Sequence, residues 1–291
     1  MQWMLCKQFC WLNWIQCKLS ARNLTGVVYV DFSRAFDSVV HSKLIYKLQN
    51  YGIEGKLLNW ITSFLSNRSQ RVVLDNTYFT SSPVLSGVVQ GSVLGPLLFL
   101  IFINELITVC NGTSELVLFA DDVKLYTIAS FDTASIDLQN SLDELYSWSE
   151  KWQLSINISK CHFMTVHNQS SSFVCRSYHI NHVEIAKTAS VNDLGILMQC
   201  NLNFSTHISN IITKASQRCA AFFRGFVSRD LFLVRKFFIV YIRPLLEYNT
   251  CIWNPTKRYL INKLESVQRH FTKRFHHFTN YITHSVLKPS N

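Results

Sequence analysis

The apolar residues of this chain follow two kinds of pattern. In the first two thirds, short runs of β-branched and aromatic residues predict buried strands, and helical spacing fills the segments between them. The predicted strands are GVVYVDFS (Gly26–Ser33), which ends at Asp31, and LVLFADDVKLY (Leu116–Tyr126). The predicted helices are SRAFDSVVHSKLIYKLQN, KLLNWITSFLSN, an apolar helix from Pro96 through Leu106, and SIDLQNSLDELYSWSEKWQL.

Turn signals and a later change of pattern divide the chain further. RVVLDNTYFT predicts a hairpin around Asp75–Asn76, and HVEIAKTASVNDLGILMQ predicts a second pair of strands. From residue 203 onward the pattern is helical, in STHISNIITKASQRCAAFFRGF, LFLVRKFFIVYIRPLLEY and RYLINKLESVQRHFTKRF. We therefore predict an α+β domain over residues 24–202 and an all-helical domain over residues 203–291. Residues 1–23 are predicted to form one apolar-faced helix in front of them.

The composition indicates a folded intracellular protein. Of the 291 residues, 48% are hydrophobic, which is enough to build a core. The nine cysteines form no CxxC pair and no zinc-finger spacing, and we see no secretory signal, so reduced intracellular thiols are expected. The longest apolar run, PLLFLIFI, is too short to span a bilayer, and no membrane contact is expected.

The positive charge is concentrated in the last third of the chain. Residues 203–291 contain 14 Lys and Arg against 3 Asp and Glu, whereas residues 1–202 contain 14 against 15. A basic region joined to a nearly neutral one favours a polyanionic partner such as nucleic acid. The alternative is a basic, solvated helical surface that binds nothing.

Two adjacent carboxylates interrupt the stretch LVLFADDVKLY. Apolar residues flank Asp121 and Asp122 on both sides, which predicts a strand–turn–strand unit with the aspartates at the turn. An ordinary acidic surface turn is the alternative. If Asp31 lies at the same sheet edge, three carboxylates would converge there and repel one another unless a divalent cation is bound. Oxygen ligands without His or Cys favour Mg²⁺ or Mn²⁺, and two such ions can support phosphoryl transfer.

Five segments in a fixed order carry a family resemblance. They are VYVDFSRAFDSVVHSKL, LSGVVQGSVLGPLLFLIFINEL, LVLFADDVKLY, WQLSINISKC and VNDLGILMQCNLNFSTHI. Together they closely resemble successive motifs of reverse transcriptases from non-LTR (LINE-type) retrotransposons, particularly the jockey-like branch. The resemblance implies an RNA-directed DNA polymerase with an antiparallel palm sheet, packed helices and a thumb-like helical region. It also implies two Mg²⁺ or Mn²⁺ ions, dNTP substrates, an RNA template, a DNA primer, and location in cytoplasm and nucleus.

The same resemblance assigns the catalytic residues. It makes Asp31 the first metal-binding aspartate and makes Asp121 and Asp122 the paired aspartates of the catalytic hairpin. Lys160, in NISKC, matches the lysine that helps to protonate the pyrophosphate leaving group; a plain surface lysine is the alternative.

Three further residues are assigned to the nucleotide site. Phe36 matches the aromatic gate that disfavours a ribose 2′-OH, although a helix-core phenylalanine would show the same spacing. Gln90 and Gly91 match the segment that lies along the nucleotide and template base, where Gly permits close backbone approach. Val89 departs from the family, in which proline is usual here. In VNDLGILMQ, the NDLGILM strands match the pair that grips the primer end.

The resemblance also predicts what the chain lacks. Only 30 residues precede Asp31, so we expect most of the polymerase fingers to be missing, and no endonuclease region or Cys/His knuckle is recognisable. The leading hypothesis is a truncated reverse transcriptase. The alternative is a catalytically inactive, nucleic-acid-binding remnant of a retrotransposon.

Overall fold

The computed structural model describes residues 24–110, 112–129, 132–166, 177–226 and 230–286. These residues belong to two compact units that divide between Ala189 and Ser190. The helix predicted for residues 1–23 lies outside the described residues. The predicted domain boundary at residue 203 stays a prediction.

The described strands are short except in one sheet. They are β1 (Leu24–Val30), β2 (Ser69–Gln70), β3 (Val73–Leu74), β4 (Thr77–Tyr78), β5 (Ser82–Pro83), β6 (Ser114–Phe119), β7 (Asp122–Ala129), β8 (His162–Val166), β9 (His179–Ile180), β10 (Val183–Glu184), β11 (Ala186–Lys187), β12 (Ser190–Asp193) and β13 (Ile196–Gln199).

The described helices occur in both units. They are α1 (His41–Asn50), α2 (Gly55–Leu65), α3 (Leu94–Ile103), α4 (Asp132–Trp152), α5 (Ser205–Gly225), α6 (Leu231–Phe237), α7 (Arg243–Glu247), α8 (Thr250–Trp253) and α9 (Arg258–Val286). Two 3₁₀ segments, Asn104–Val109 and Ile158–Lys160, and one π segment, Phe238–Ile242, complete them.

A five-stranded sheet in the order β11-β8-β1-β7-β6 forms the centre of the first unit. Strand β1 pairs antiparallel with β7 on one side and β8 on the other, and β11 is parallel to β8. Val27 and Val28 point to opposite faces of β1, and neither is exposed, which explains the unbroken apolar run in its sequence. Helices α3 and α4 supply Phe99, Phe102 and Leu142 to the same core as Val28. The predicted α+β fold class is confirmed.

The helix predicted from Ser33 begins eight residues later, at His41. Arg34 has a φ of +47°, and the amides of Asp37 and Ser38 both donate to its carbonyl oxygen, which closes a turn. Phe32 forms a bridge to Ile156, so the segment before this turn extends the sheet. The prediction was wrong here because the four-residue apolar spacing continues through the turn by coincidence.

The other local predictions agree more closely with the structure. The hairpin at Asp75–Asn76 is confirmed, and both residues have positive φ, as a type I′ turn requires. The apolar helix begins at Leu94 rather than Pro96, and beyond Ile103 it continues as a 3₁₀ segment.

The second unit begins with a hairpin and continues as helices. Strands β12 and β13 pair antiparallel around Leu194 and Gly195, both of which have positive φ. Residues 231–248 were predicted as one helix but contain a π turn just before Pro244, whose nitrogen cannot donate a helical hydrogen bond. Among the described residues, no helix combines the length and apolar character needed to cross a membrane.

Candidate active site

Asp31 and Asp122 lie at the same end of two paired strands. Val30, the last residue of β1, is opposite Val123 of β7. Asp31 directly follows Val30, and Asp122 directly precedes Val123, so the pairing brings the two aspartates to one sheet edge. Oδ1 of Asp31 is buried and accepts no hydrogen bond from the described residues. A buried acceptor without a donor is costly, and a bound cation is one way to satisfy it.

The adjacent aspartates occupy different positions in their hairpin. Phe119 pairs with Asp122, so the two-residue turn consists of Ala120 and Asp121, and Asp122 is already the first residue of β7. The sequence interpretation, which put both aspartates in the turn, was therefore wrong by one residue. Ala120 has a φ of +50°, whereas Asp121 does not have a positive φ. A positive φ at the first turn position alone is typical of a type II′ turn and is unusual for alanine.

Lys160 approaches the same edge from a different segment. It ends the 3₁₀ segment Ile158–Lys160, and its Nζ lies 3.8 Å from Oδ1 of Asp31. The amide of Asn157 donates to the carbonyl oxygen of Asp31 at 2.8 Å, which ties this segment to the end of β1. Lys160 is mostly exposed, so its amino group is accessible to a ligand at the sheet edge.

Cys161 is a neighbour of Asp31 that the sequence interpretation missed. Its side chain is fully buried, and its thiol donates to the carbonyl oxygen of Asn157 at 3.3 Å. Burial raises the pKa of the Cys161 thiol to about 11, so the thiol is neutral at physiological pH. A neutral buried thiol is a poor nucleophile, and this cysteine supports the backbone around Asp31 instead.

Phe36 lies in the turn that follows Asp31. It stacks on Phe99 of α3 with ring centroids 4.1 Å apart, and its carbonyl oxygen accepts a hydrogen bond from the amide of Val88. The ring is partly buried and therefore has a fixed side and an accessible side. Phe36 thus lies in a turn rather than a helix, but it packs against the core of the first unit, and its role as an aromatic gate stays a prediction.

Gln90 and Gly91 lie on an exposed loop that docks on the same turn. Gln90 donates from Nε2 to Oδ1 of Asp37 at 2.8 Å, an interaction that no sequence pattern predicted. Gly91 has a φ of +80° with open space where a Cβ would lie. A glycine here keeps the backbone free for close approach by a ligand. Gly87, which the sequence interpretation did not single out, lies so close to Asp37 that an added Cβ would clash with the Asp37 backbone.

The carboxylates lie at one edge but do not form a ready-made metal centre. In the part of the chain that the structure describes, no three His, Cys, Asp or Glu side chains are grouped closely enough to hold an ion. The side chains available at the edge are carboxylates, the hard oxygen donors that Mg²⁺ and Mn²⁺ prefer. Oδ1 of Asp31 accepts no hydrogen bond from the described residues, which is compatible with such an ion, and the roles of Asp31, Asp121, Asp122 and Lys160 stay predictions.

Comparison with known proteins identifies what this arrangement is similar to. Residues 6–198 match the family model described as reverse transcriptase (RNA-dependent DNA polymerase). The RNA-directed DNA polymerase from mobile element jockey of Drosophila melanogaster is 35% identical over 190 residues, which are 63% of this chain and 20% of the relative. The corresponding Drosophila funebris protein is 29% identical over 264 residues, or 86% of this chain and 28% of the relative. The chain thus spans a quarter or so of these relatives' length.

A solved structure supports the fold. Telomerase from Candida tropicalis in complex with a TWJ fragment of telomeric RNA superposes with a TM-score of 0.51 at 12% identity, covering 95% of this chain and 45% of the telomerase chain. At this identity the likeness concerns the fold alone.

Proposed function

Because the chain belongs to the reverse transcriptase (RNA-dependent DNA polymerase) family, we propose that residues 24–202 form the palm of an RNA-directed DNA polymerase. The reaction adds a dNTP to the 3′ end of a DNA primer on an RNA template. The observation that carries the proposal is the strand pairing that brings Asp31 beside the hairpin of Asp121 and Asp122. Lys160, 3.8 Å from Asp31, adds a cation at the same edge.

Asp31, Asp121 and Asp122 would hold two Mg²⁺ or Mn²⁺ ions in this proposal. When bound, the ions supply charge neutralisation for the attacking and leaving oxygens. Their binding would require the carboxylates to turn toward one another, since the described residues contain no ready-made cluster. Oδ1 of Asp31, which accepts no hydrogen bond from the described residues and lies 3.8 Å from the ammonium group of Lys160, would then bind an ion as well.

The remaining site residues would bind, orient and donate a proton. The ammonium group of Lys160 would protonate the pyrophosphate leaving group. The ring of Phe36, held by its stack on Phe99, would exclude a ribose 2′-OH by contact. Gln90 and the open backbone at Gly91 would lie along the incoming nucleotide and its template base.

The helices after residue 203 would hold the RNA template and DNA primer as a thumb-like region. Their sequence has an excess of 11 positive charges, which matches a polyanionic partner. The strand pair β12 and β13 would contact the primer end. Action in the nucleus and cytoplasm follows from the retrotransposon relatives and is likewise proposed.

Primer extension tests the activity directly. The purified chain is incubated with a DNA primer annealed to an RNA template, dNTPs and Mg²⁺. An Asp121→Asn variant, whose thermal unfolding is first shown to match that of the wild type, is assayed in parallel. We expect extension by the wild-type chain and at least a 100-fold lower rate for the variant, because a metal ligand is lost. Equal rates for the two proteins would contradict the proposal.

A nucleic-acid-binding function without catalysis is the second candidate. The exposed basic side chains of α5, α6 and α9 favour it, since phosphate contacts need no metal. Binding of a labelled RNA–DNA duplex is measured in EDTA across a series of salt concentrations. Salt-sensitive binding by a chain that never extends a primer would favour this candidate over the polymerase.

A further inference from the structure

Residues 36–41, which follow the strand end at Asp31, and the loop that carries Gln90 are held together as one unit. Four hydrogen bonds join them. The amides of Gly87 and Val88 donate to the carbonyl oxygens of Val39 and Phe36, each at 2.8 Å. The hydroxyl of Ser86 donates to the carbonyl oxygen of Asp37 at 2.9 Å, and Nε2 of His41 bonds to the carbonyl oxygen of Gly87 at 2.8 Å. Gly87 approaches so closely that an added Cβ would lie 2.8 Å from the α-carbon of Asp37. The backbone of Asp37 is therefore fixed relative to the loop.

The side chain of Asp37 uses this fixed position to contact Gln90. Oδ1 of Asp37 accepts a hydrogen bond from Nε2 of Gln90 at 2.8 Å. An ionised carboxylate only accepts hydrogen bonds, whereas a glutamine amide can present either a donor or an acceptor. The carboxylate therefore selects the NH₂ end of the Gln90 amide, and the carbonyl Oε1 faces away from Asp37.

We propose that Asp37 is a positioning residue that sets the orientation of the Gln90 amide, so that the nucleotide site presents an acceptor oxygen. This inference rests on the proposed function of Gln90. Oε1 would accept a hydrogen bond from an N–H or O–H group of the incoming nucleotide or its template base. Both residues line one pocket of about 420 Å³, together with His41 and Arg68, which gives such a ligand room.

Substitutions at Asp37 and Gln90 can separate the effect of the Asp37 charge from the effect of its shape. Asp37→Asn keeps the size of the side chain but can offer either a donor or an acceptor to Gln90, so the amide loses its single orientation. In the double variant Asp37→Asn/Gln90→Glu, the introduced amide donates to the introduced carboxylate, whose second oxygen can again serve as the acceptor. Gln90→Glu alone places two carboxylates within hydrogen-bond distance, where they repel each other.

Steady-state kinetics with a primer–template measure the effect on the nucleotide. We expect Asp37→Asn to raise the dNTP KM about 5–10-fold, the worth of one hydrogen bond, with kcat within about twofold of wild type. The double variant should bring the dNTP KM at least halfway back to the wild-type value. Gln90→Glu alone should have a higher dNTP KM than either Asp37→Asn or the double variant. Asp75→Asn, the same charge change in the exposed hairpin, is the matched control. An unchanged KM, or no recovery in the double variant, overturns the proposal.

The orientation of the amide can be measured without activity. In the protein labelled with ¹⁵N-glutamine, the side-chain NH₂ signals of Gln90 are assigned by their absence from Gln90→Ala. We expect Asp37→Ala to move these signals upfield and bring the two proton shifts closer together, while Asp75→Asn leaves them unchanged. Unmoved signals overturn the positioning role. If no variant or wild-type chain incorporates dNTP, the polymerase proposal fails, and the NMR result still decides the contact.

Discussion

Nζ of Lys160 lies 3.8 Å from Oδ1 of Asp31, although the two residues come from separate segments. The backbone bond from Asn157 to the carbonyl oxygen of Asp31 makes this approach a consequence of the fold rather than of a flexible side chain alone. In the proposed polymerase, an amino group beside the carboxylate of Asp31 can serve either as a positive charge or as a proton donor. Substitutions at Lys160 separate these two roles.

We expect both Lys160→Met and Lys160→Arg to lower kcat for primer extension about 100-fold, because arginine keeps the charge but does not release its proton. Rates are measured with saturating dNTP and Mg²⁺. Thermal unfolding should be unchanged because Lys160 is 65% exposed. Lys56→Met, an exposed lysine on α2, provides the control. Full activity in Lys160→Arg would show that the charge alone matters.

The turn of the β6–β7 hairpin provides a second prediction. Ala120 has a φ of +50°, which glycine adopts without the steric cost that alanine bears. We expect Ala120→Gly to raise the free energy of unfolding by roughly 0.5–1 kcal/mol, measured by urea denaturation. Ala221→Gly, on the exposed side of α5, should instead lower it by about 1 kcal/mol. A loss of stability in Ala120→Gly would contradict the turn geometry.

The sequence predicts the elements of this site better than their junctions. The β-branched run before Asp31 identifies β1, because a strand covered on both faces needs apolar residues at successive positions. The same uniformity hides the register of the β6–β7 hairpin. Residues 116–120 before the aspartates are apolar at every position, so no alternation on that side fixes which residues form the turn, and the prediction slipped by one residue.

Long-range docking explains what the sequence could not predict. The turn around Phe36 has the apolar spacing of a helix, and only the bridge between Phe32 and Ile156 and the loop docked on the turn exclude one. The bond between Asp37 and Gln90 likewise depends on two segments that meet only in the folded chain. No local pattern encodes such a contact, whereas the aspartate motifs were recognisable because they are local.

Two glycines with similar backbone angles provide a third prediction. Gly52 has a φ of +77° with nothing within 4 Å of an added Cβ, whereas Gly87 has a φ of +91° and meets the backbone of Asp37. We expect Gly52→Ala to lower the free energy of unfolding by about 1 kcal/mol through strain alone. Gly87→Ala should cost about 3 kcal/mol, because the loop must also move. It should raise the dNTP KM as well, whereas Gly52→Ala should not.

Chemical denaturation and dNTP kinetics on the two glycine variants check this comparison. Equal losses of stability in both would mean that the contact between Gly87 and Asp37 is absent in solution. A stability loss in Gly87→Ala without a change in KM would separate the loop from the nucleotide site.

Lys47 is a buried cation in the core of the first unit. Its Nζ donates to the carbonyl oxygen of Phe102 at 2.5 Å, pairs with Glu105 at 2.9 Å, and lies 3.7 Å from the ring centroid of Trp152. We expect Lys47→Met to lower the free energy of unfolding by about 1–3 kcal/mol, because the Phe102 carbonyl loses its donor. Lys47→Ala should cost more, since it also leaves a cavity. Lys56→Met again serves as the surface control.

The burial of Lys47 also predicts a pH dependence. Desolvation lowers the pKa of Lys47 below its usual value of 10.5, and the ion pair with Glu105 only partly opposes this. Between the lowered pKa and 10.5 the unfolded chain binds more protons than the folded chain, so the free energy of unfolding rises with pH in this window. Lys47→Met lacks the group. Urea denaturation of both proteins at about pH 8 and about pH 10 should therefore show the stability difference growing in favour of the wild type. A difference that shrinks with pH would mean that Glu105 and the surrounding rings stabilise the ammonium more than burial penalises it.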